Sequence, residues 1–409
     1  MATSTLAQAD AVLKVGYGDI HEQLDSYTVA LNLMERGTKH ITGGNKEAQF
    51  AIHTKRNWGI GSRSEGEDLP AAKANKDARA TVGLKYHYGR IQGTGQVFAQ
   101  VETNPQAFVN WMDREVKGIV ETLKRDQNRM LYGDNTGTLA LLTAAATGAT
   151  TITVDNVLWF EEDMDIDVLT AATLGNPVPT SGIVSGTIAT ITAIDEVAST
   201  VTISGATITA AIGSAVVLAS RVGSTNTNNW KKENEGLGSV VSTTSTLHNI
   251  APGSEPRWKA GYVENSVGTL AEIDLTHLTQ AIHRKGTKVT DLLTTYGVVN
   301  SYWNALQGLR RYDGGEKLTG GATTPVFQSV FGDLPITTDW ACPKGTVYAV
   351  NRDEWYMNQL GDWKWIDETG SRWQQVENKH EFSATVYKFA NVGVYRRNAF
   401  GKLTGITEV

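Results

Sequence analysis

Between Asn104 and Gly133 apolar residues return every three or four positions. Phe108, Val109, Met112, Val116, Ile119, Val120, Leu123 and Met130 share one side, with Asp113, Arg114, Lys117, Lys124 and Arg125 mostly on the other. That period predicts an amphipathic helix. Asn104 or Thr103 can cap its N-terminus, Pro105 suits the first position because its missing N–H costs nothing there, and Gly133 suits a left-handed stop. At 1.5 Å per residue the rod is roughly 40 Å long, beyond an ordinary globular helix.

A different period precedes it. AQFAIHTKRN and RATVGLKYHYGR read as two strands flanking a Gly-, Ser- and charge-rich tip from Gly59 to Asp77, with Val82, Leu84, Tyr86 and Tyr88 alternating as on a half-buried strand. An isolated ribbon of this length is marginally stable, so it is expected to lie on another subunit. Further upstream, Ile20, Leu24, Leu31 and Met34 predict a helix from Asp19 to Glu35 ending at Gly37. After the long helix, TTITVDN, GIVSGTIATITAID and STVTISGATIT predict short strands of a small barrel or sandwich, followed by a polar linker over 221–235. In the last third LTHLTQAIHRKG and YGVVNSYWNALQGLRR read as helices, and GTVYAVN, FSATVYKF and VGVYRR as strands, giving an α+β body.

Composition narrows the class. A chain of 409 residues implies two or three lobes. No apolar run is long enough to span a membrane, and Met1–Asp10 lacks the blocks of a secretory signal. Cys342 is the single cysteine, so no intrachain disulfide or thiolate cluster can form, which fits synthesis in a reducing cytoplasm. The formal charge of −6 is unevenly spread. Met130–Ser220 contains no lysine or arginine, and its nine acids, taken from the chain's 43, leave 34 acidic against 37 basic residues elsewhere. Phosphate and anionic lipid repel such a lobe, which argues against its touching nucleic acid.

No catalytic constellation emerges. The glycine-rich GIGSRSEG and GTGQVF lack the spacing and following helix of a nucleotide loop. EEDMDID, from Glu161 to Asp167, lacks the sixth-position glycine and closing glutamate of a calcium loop. Its alternation suits a strand with the acids outward and Met164, Ile166 and Val168 inward, the cation site being the alternative. His277 and His283 do not have a metal-ligand spacing. Cys342, between Ala341 and Pro343, reads as packing rather than as a nucleophile. Trp303, Trp340, Trp355, Trp363, Trp365 and Trp373 read as anchors of cores and subunit contacts, with a sugar platform as the rival. The expectation is a protein without catalytic residues, cofactor or metal.

The order of these elements resembles a known family. An N-terminal arm, a long hairpin, a long helix after AsnProGln, and a mixed body ending in VYRRNAFGKLTGI are similar to the major capsid protein of tailed bacteriophages, the Hong Kong 97-type fold. FVNWMDREVKGIVETLKRDQNRMLYGD matches the family's spine helix. DLLTTYGVVNSYWNALQGLRRY with CPKGTVYAVNRDEW is similar to its central body, and Glu381–Arg397 to its closing strand pair. The match is one of pattern over nearly the whole chain, without a short diagnostic motif.

The resemblance implies an arm over 1–45, an extended loop over 46–100, a peripheral domain with its spine helix over 101–137 and an inserted acidic β domain over 138–222. An axial domain with parts of the peripheral one would span 223–374, and peripheral strands 375–409. Spine packing would fall on Phe108, Met112, Val116, Ile119 and Leu123, inter-subunit contacts on Lys55, Arg56, Arg63, Lys73, Lys76 and Arg79, and an outer acidic surface on Glu161, Asp163, Asp165 and Asp167. The implied function is a structural one: hexamers and pentamers of this chain close an icosahedral virion shell around double-stranded DNA, without sequence-specific binding and without a membrane. A portal protein and a decoration protein are further expected partners. The chain opens directly with the arm, so a separate scaffolding protein is expected, and no cross-link is predicted because Lys73 and Lys76 have no assignable acceptor. A cellular encapsulating shell of the same fold and a β-rich decoration or tail adhesin are the alternatives.

Overall fold

The computed structural model describes residues 28–37, 47–96, 105–176, 179–185, 188–222, 225–307, 326–367 and 372–408. The helix expected from Asp19 to Glu35 lies mostly outside them. Its described end is a short helix α1 (Val29–Leu33), after which Glu35–Gly37 is extended as strand β1 rather than helical. Two strands, β2 (Glu47–Lys55) and β3 (Lys76–Gly83), form an antiparallel hairpin from Glu47 opposite Gly83 to Lys55 opposite Lys76. The second expected strand is in fact two. It breaks at Leu84, and β4 (Lys85–Thr94) leaves the hairpin for a different sheet.

That break reverses the alternation read from the sequence. Val82 is buried on β3, whereas on β4 the inward positions are His87, Gly89, Ile91 and Gly93, and Tyr86 and Tyr88 face out. A one-residue slip exchanges every side chain between faces, which is why a single alternating register cannot describe both strands.

The long helix α2 runs from Pro105 to Met130, 26 residues or about 39 Å. Val116, Ile119 and Leu123 are half-buried, and the helix lies across β4 at Gly89, where an added Cβ would sit 2.6 Å from Leu123 Cδ1 and 3.0 Å from Ile119 Cγ1. The side chains of Phe108 and Met112 fall outside the described residues. Gly133 is not the left-handed stop that was expected, since its φ is not positive. The helix ends instead against another segment: the Leu237 N–H donates to the Leu131 carbonyl at 2.6 Å and the Gly238 N–H to that of Gly133 at 3.0 Å. These bonds hold the residues just past the helix, whose own last carbonyls at Asn128, Arg129 and Met130 accept from the N–H groups of Leu131, Tyr132 and Gly133.

Ten strands follow the helix: β5 (Thr138–Leu141), β6 (Ala146–Ala149), β7 (Thr151–Thr153), β8 (Asp165–Leu169), β9 (Ile183–Ser185), β10 (Ala189–Asp195), β11 (Thr200–Ser204), β12 (Thr207–Ala210), β13 (Ala215–Val222) and β14 (Thr225–Asn228). They make a seven-stranded sheet, β14-β13-β8-β10-β11-β7 with β5 also on β13, and a three-stranded sheet β6-β12-β9. Ile152, Val154, Ile166, Val168, Ile191, Val201, Ile203, Ile208 and Val216 fill the interior and continue without a gap into the core of the body. The stretch 221–235 is not a linker. It holds the end of β13 and then β14, which pairs antiparallel with β13, and Trp230, Glu233 and Asn234 are buried.

In the body β15 (Tyr262–Glu264), β16 (Asp291–Thr294), β17 (Val326–Ser329), β18 (Gly332–Thr338) and β19 (Val347–Val350) belong to one mixed sheet. Two helices, Glu272–His283 and Tyr296–Gln307, share its core of Leu275, Leu278, Ile282, Leu292, Val298, Ile336 and Val347. A second sheet joins β1, β20 (Trp355–Gln359), β21 (Lys364–Trp365), β22 (Gln374–Gln375), β23 (Glu381–Val394) and β4. The expected closing strand pair is a single 14-residue strand, β23, which pairs with β4 from Glu381 opposite Thr94 to Ala390 opposite Lys85. The chain then crosses to the first sheet, where β24 (Gly401–Leu403) lies between β15 and β19, so 375–409 serves both sheets rather than one.

Candidate assembly surfaces

The C-terminal end of α2 is where arm, body and β-rich lobe are tied together. Asn128, Arg129 and Tyr132 interrupt the apolar stripe with polar groups, and all three are buried. Asp339, fully buried, accepts from Ala30 N at 3.1 Å, from Asn128 Nδ2 at 3.0 Å, from Tyr132 Oη at 3.0 Å and from Ala341 N at 3.0 Å. Asn128 Oδ1 in turn accepts from Leu31 N at 3.0 Å. Two side chains of the body and the long helix thus take up the first amide groups of α1, and the buried carboxylate has several donors, as its desolvation requires. Burial together with the Asp339 charge pushes the Tyr132 phenol far above its usual range.

On the lobe side, Arg129 donates to Glu233 at 2.7 Å and to Asp126 at 2.8 Å, with Arg129 and Glu233 both buried. Burial alone would lower the guanidinium, but the two carboxylates more than offset it and hold it above its ordinary value. Glu233 is raised by burial against the pull of Arg129. Next to this pair His87 Nε2 meets Asn234 Oδ1 at 2.9 Å, and burial lowers the imidazole's pKa. Lys85 Nζ donates to the Lys231 carbonyl at 2.8 Å. Removing one member of a buried ion pair costs about 3–5 kcal/mol because the other charge is left unpaired.

Between α2, the start of β4 and the lobe lies a cleft of about 980 Å³. Its walls carry Trp159 and Trp340 beside Glu121, Glu162 and Asp163, and the segment 84–88 closes one side. Arg125 bridges it, ion-paired to Glu161 at 2.7 Å and stacked over Trp340 at 4.4 Å. The acidic run therefore does not form a row of outward acids. Glu161, Glu162 and Asp163 are exposed along the cleft. Asp165 accepts from Thr190 at 2.7 Å, and Asp167 is buried, accepting from Ser181 Oγ at 2.5 Å and from Asn228 Nδ2 at 3.0 Å. The pairing of β14 with β13 brings Asn228 to that carboxylate and makes burial possible. Among the described residues no group of three His, Cys, Asp or Glu side chains is arranged to hold a metal ion, and no helix is long and apolar enough to cross a membrane.

The hairpin is anchored at its base and free at its tip. Phe50 packs edge-on against Tyr356 and Tyr395, the Thr81 N–H donates to the His248 carbonyl at 3.0 Å, and Lys76 is ion-paired with Glu255. Lys76 is thus paired within its own chain. Lys55, Arg56, Arg63, Lys73 and Arg79 are exposed. Beyond the strands the tip is held by local bonds, from Asn57 N to Asn75 Oδ1 at 2.7 Å and from Arg63 Nε to the Asp68 carbonyl at 2.8 Å. Its large apolar residues stand in solvent: Trp58 is 55%, Ile60 72% and Leu69 87% exposed. On the outer face of β4 and β23, Tyr86, Tyr88 and Tyr387 surround Phe389, with Tyr86 and Phe389 edge to face at 4.9 Å.

No protein-family model and no curated protein matches the chain. Among solved structures, the capsid asymmetric unit of cyanophage A-1(L) superposes with a TM-score of 0.57 over 95% of this chain and 98% of that one, at 13% identity. The chain has the fold of a phage capsid protein. The capsid of an empty GTA particle aligns over 94% of this chain and 99% of its own with a TM-score of 0.49 at 8% identity. The holo-SrpI encapsulin complex from Synechococcus elongatus PCC 7942 aligns over 97% and 95% with a TM-score of 0.44 at 9% identity. The long helix α2 is the element that the sequence pattern located best. The residues that sequence reasoning missed are Asp339, Glu233, Asn234 and His87. The partners of Asp339 and Glu233, Asn128 and Arg129, stand in a polar run on an otherwise apolar face, but nothing in the sequence pattern names the residues opposite them.

Proposed function

We propose that this protein is the major structural subunit of a tailed-phage capsid, assembling into hexamers and pentamers of an icosahedral shell around double-stranded DNA. The whole-chain superposition on a cyanophage capsid subunit, with almost nothing left over on either side, is the observation that carries this reading. The anatomy supports it: a hairpin anchored at its base, with exposed apolar and basic residues at its tip, suits a head-to-tail contact that repeats around a ring. In the same reading residues 1–45 are the arm, 46–100 the extended loop and 101–137 the peripheral domain with its spine. The β-rich lobe over 138–222 is an insertion, 223–374 is largely axial, and the acidic excess of the insertion keeps it away from packaged DNA.

Lys55, Arg56, Arg63, Lys73 and Arg79 are the hairpin's contacts to a neighbour. Exposed ion pairs contribute about 0–1 kcal/mol each, so cohesion comes from repetition and buried area rather than from any one of them. Scaffolding and portal proteins, and a decoration protein on the outer face, complete the set of partners. Sedimentation velocity on the purified chain, alone and with a scaffolding protein, tests the proposal. Capsomers or shells are expected, and a monomer under both conditions contradicts it.

A further inference from the structure

Two arginines on the long helix carry hydrogen-bonding capacity that the fold leaves unused. Arg125 Nε and Arg129 Nη1 are buried without a hydrogen-bond partner among the described residues, and both side chains line the cleft between α2 and the β-rich lobe. Four residues apart, they share one side of the helix. Buried N–H groups are rarely left so, which points to an acceptor that the chain itself does not supply. Each guanidinium also lies over an indole of the same cleft, Arg125 over Trp340 at 4.4 Å and Arg129 over Trp159 at 5.7 Å. Toward solvent the need is the opposite one. Glu121, Glu162 and Asp163 line the cleft as exposed acceptors without an ion-pair partner among the described residues.

We infer that this cleft is a binding site for a neutral oligosaccharide. Its volume of about 980 Å³ matches the upper end of small-ligand pockets, ~300–1,000 Å³. An oxyanion would satisfy the guanidiniums but meet three unpaired carboxylates. An organic cation would satisfy the carboxylates but compete with Arg125 and Arg129 for the indoles. A sugar hydroxyl both donates and accepts, so one molecule meets the buried N–H groups and the carboxylates together and brings no charge of its own. Trp159 and Trp340 supply apolar ring surface for the C–H faces of a pyranose, and the Trp159 indole is held in place by its N–H bond to the Ala341 carbonyl at 2.9 Å. The site is shared: the long helix brings the arginines and Glu121, the lobe brings Glu162 and Asp163, and the body brings Trp340.

The test uses the unassembled full chain, so its outcome is separate from that of the assembly reading. An array of neutral oligosaccharides is probed with the protein, and hits are measured by isothermal titration calorimetry beside spermidine and inorganic phosphate. The expected result is saturable binding of a neutral oligosaccharide and of neither ion. Glu162→Gln with Asp163→Asn should weaken that binding roughly tenfold or more, because each substitution removes a charged acceptor. Asparagine tolerates the positive φ of 63° at Asp163, so the pair keeps the backbone as it is. Trp58→Ala, on the hairpin tip outside the cleft, should leave the affinity unchanged. Should the carboxylate pair fail to fold, Trp340→Phe supplies a second arm, again with weaker binding expected. A blank array, binding of spermidine or phosphate in place of a sugar, or unaltered sugar affinity in every folded cleft variant overturns the inference.

Discussion

Asp339 joins pieces of chain that lie far apart in sequence: the arm through Ala30, the long helix through Asn128 and Tyr132, and its own turn through Ala341. Asp339→Ala leaves those buried donors unsatisfied, and each costs roughly 1–3 kcal/mol. The expected loss is about 3–5 kcal/mol in urea unfolding of the unassembled subunit, with new protease sensitivity near residues 28–37. A loss below about 1 kcal/mol would show that the hub is redundant. His87 gives a pH signature. Its folded pKa lies below the ordinary 6.5, so below pH 6.5 the unfolded chain takes up a proton that the folded one resists. Its stabilising share is therefore present above pH 6.5 and is lost as the pH falls toward the folded value. His87→Gln should flatten the pH dependence of subunit stability in that acid window, and an unchanged slope would assign the effect elsewhere. None of these residues was legible in advance. A lone Asp or His far along the chain acquires its role only when tertiary contacts strip it of water, and periodicity carries no trace of that partner.

At the level of elements, hydrophobic period located the long helix almost to the residue because its stripe repeats over seven turns, enough to outweigh the polar interruption at Gln127–Arg129. Short runs fared worse. The β3–β4 segment reads as one alternating strand, yet it changes sheets at Leu84, and only long-range pairing with β23 decides which face is inward. The stop of α2 was misassigned for the same reason. Gly133 donates its N–H to the Met130 carbonyl without a positive φ, and Gly236 and Gly238 pack closely against the end of the helix. A Cβ on Gly236 would lie 2.4 Å from the Met130 carbonyl oxygen, and one on Gly238 2.8 Å from that of Gly133. Backbone cannot yield as a flexible side chain can. Gly236→Ala is therefore expected to cost about 1–3 kcal/mol or more in thermal unfolding, against near-neutrality for Gly118→Ala, whose Cβ meets nothing within 4 Å. Equal effects would refute the close backbone packing of the 236–238 turn on the helix end.

For the molecule as a whole, the proposed assembly accounts for the uneven charge and the anchored, open-tipped hairpin. The mixed α+β class, the long helix after the hairpin and the β-rich, acidic character of the segment that follows were readable from sequence. The continuity of that segment's core with the body, and the inward turn of Asp167, were not: the first rests on contacts between residues far apart in the chain, the second on the pairing of β14 with β13 that brings up Asn228. Neutralising Arg56 and Arg63 together should reduce shell yield while leaving the melting temperature of the free subunit unchanged, because both side chains are exposed and exposed charges contribute little to folding. Parallel loss of yield and of subunit stability would mark them as folding residues instead. The most direct test of the capsid reading is electron microscopy of the chain expressed alone and together with a scaffolding protein. Closed icosahedral particles are predicted in at least one condition, and soluble monomers or small discrete oligomers in both would contradict it.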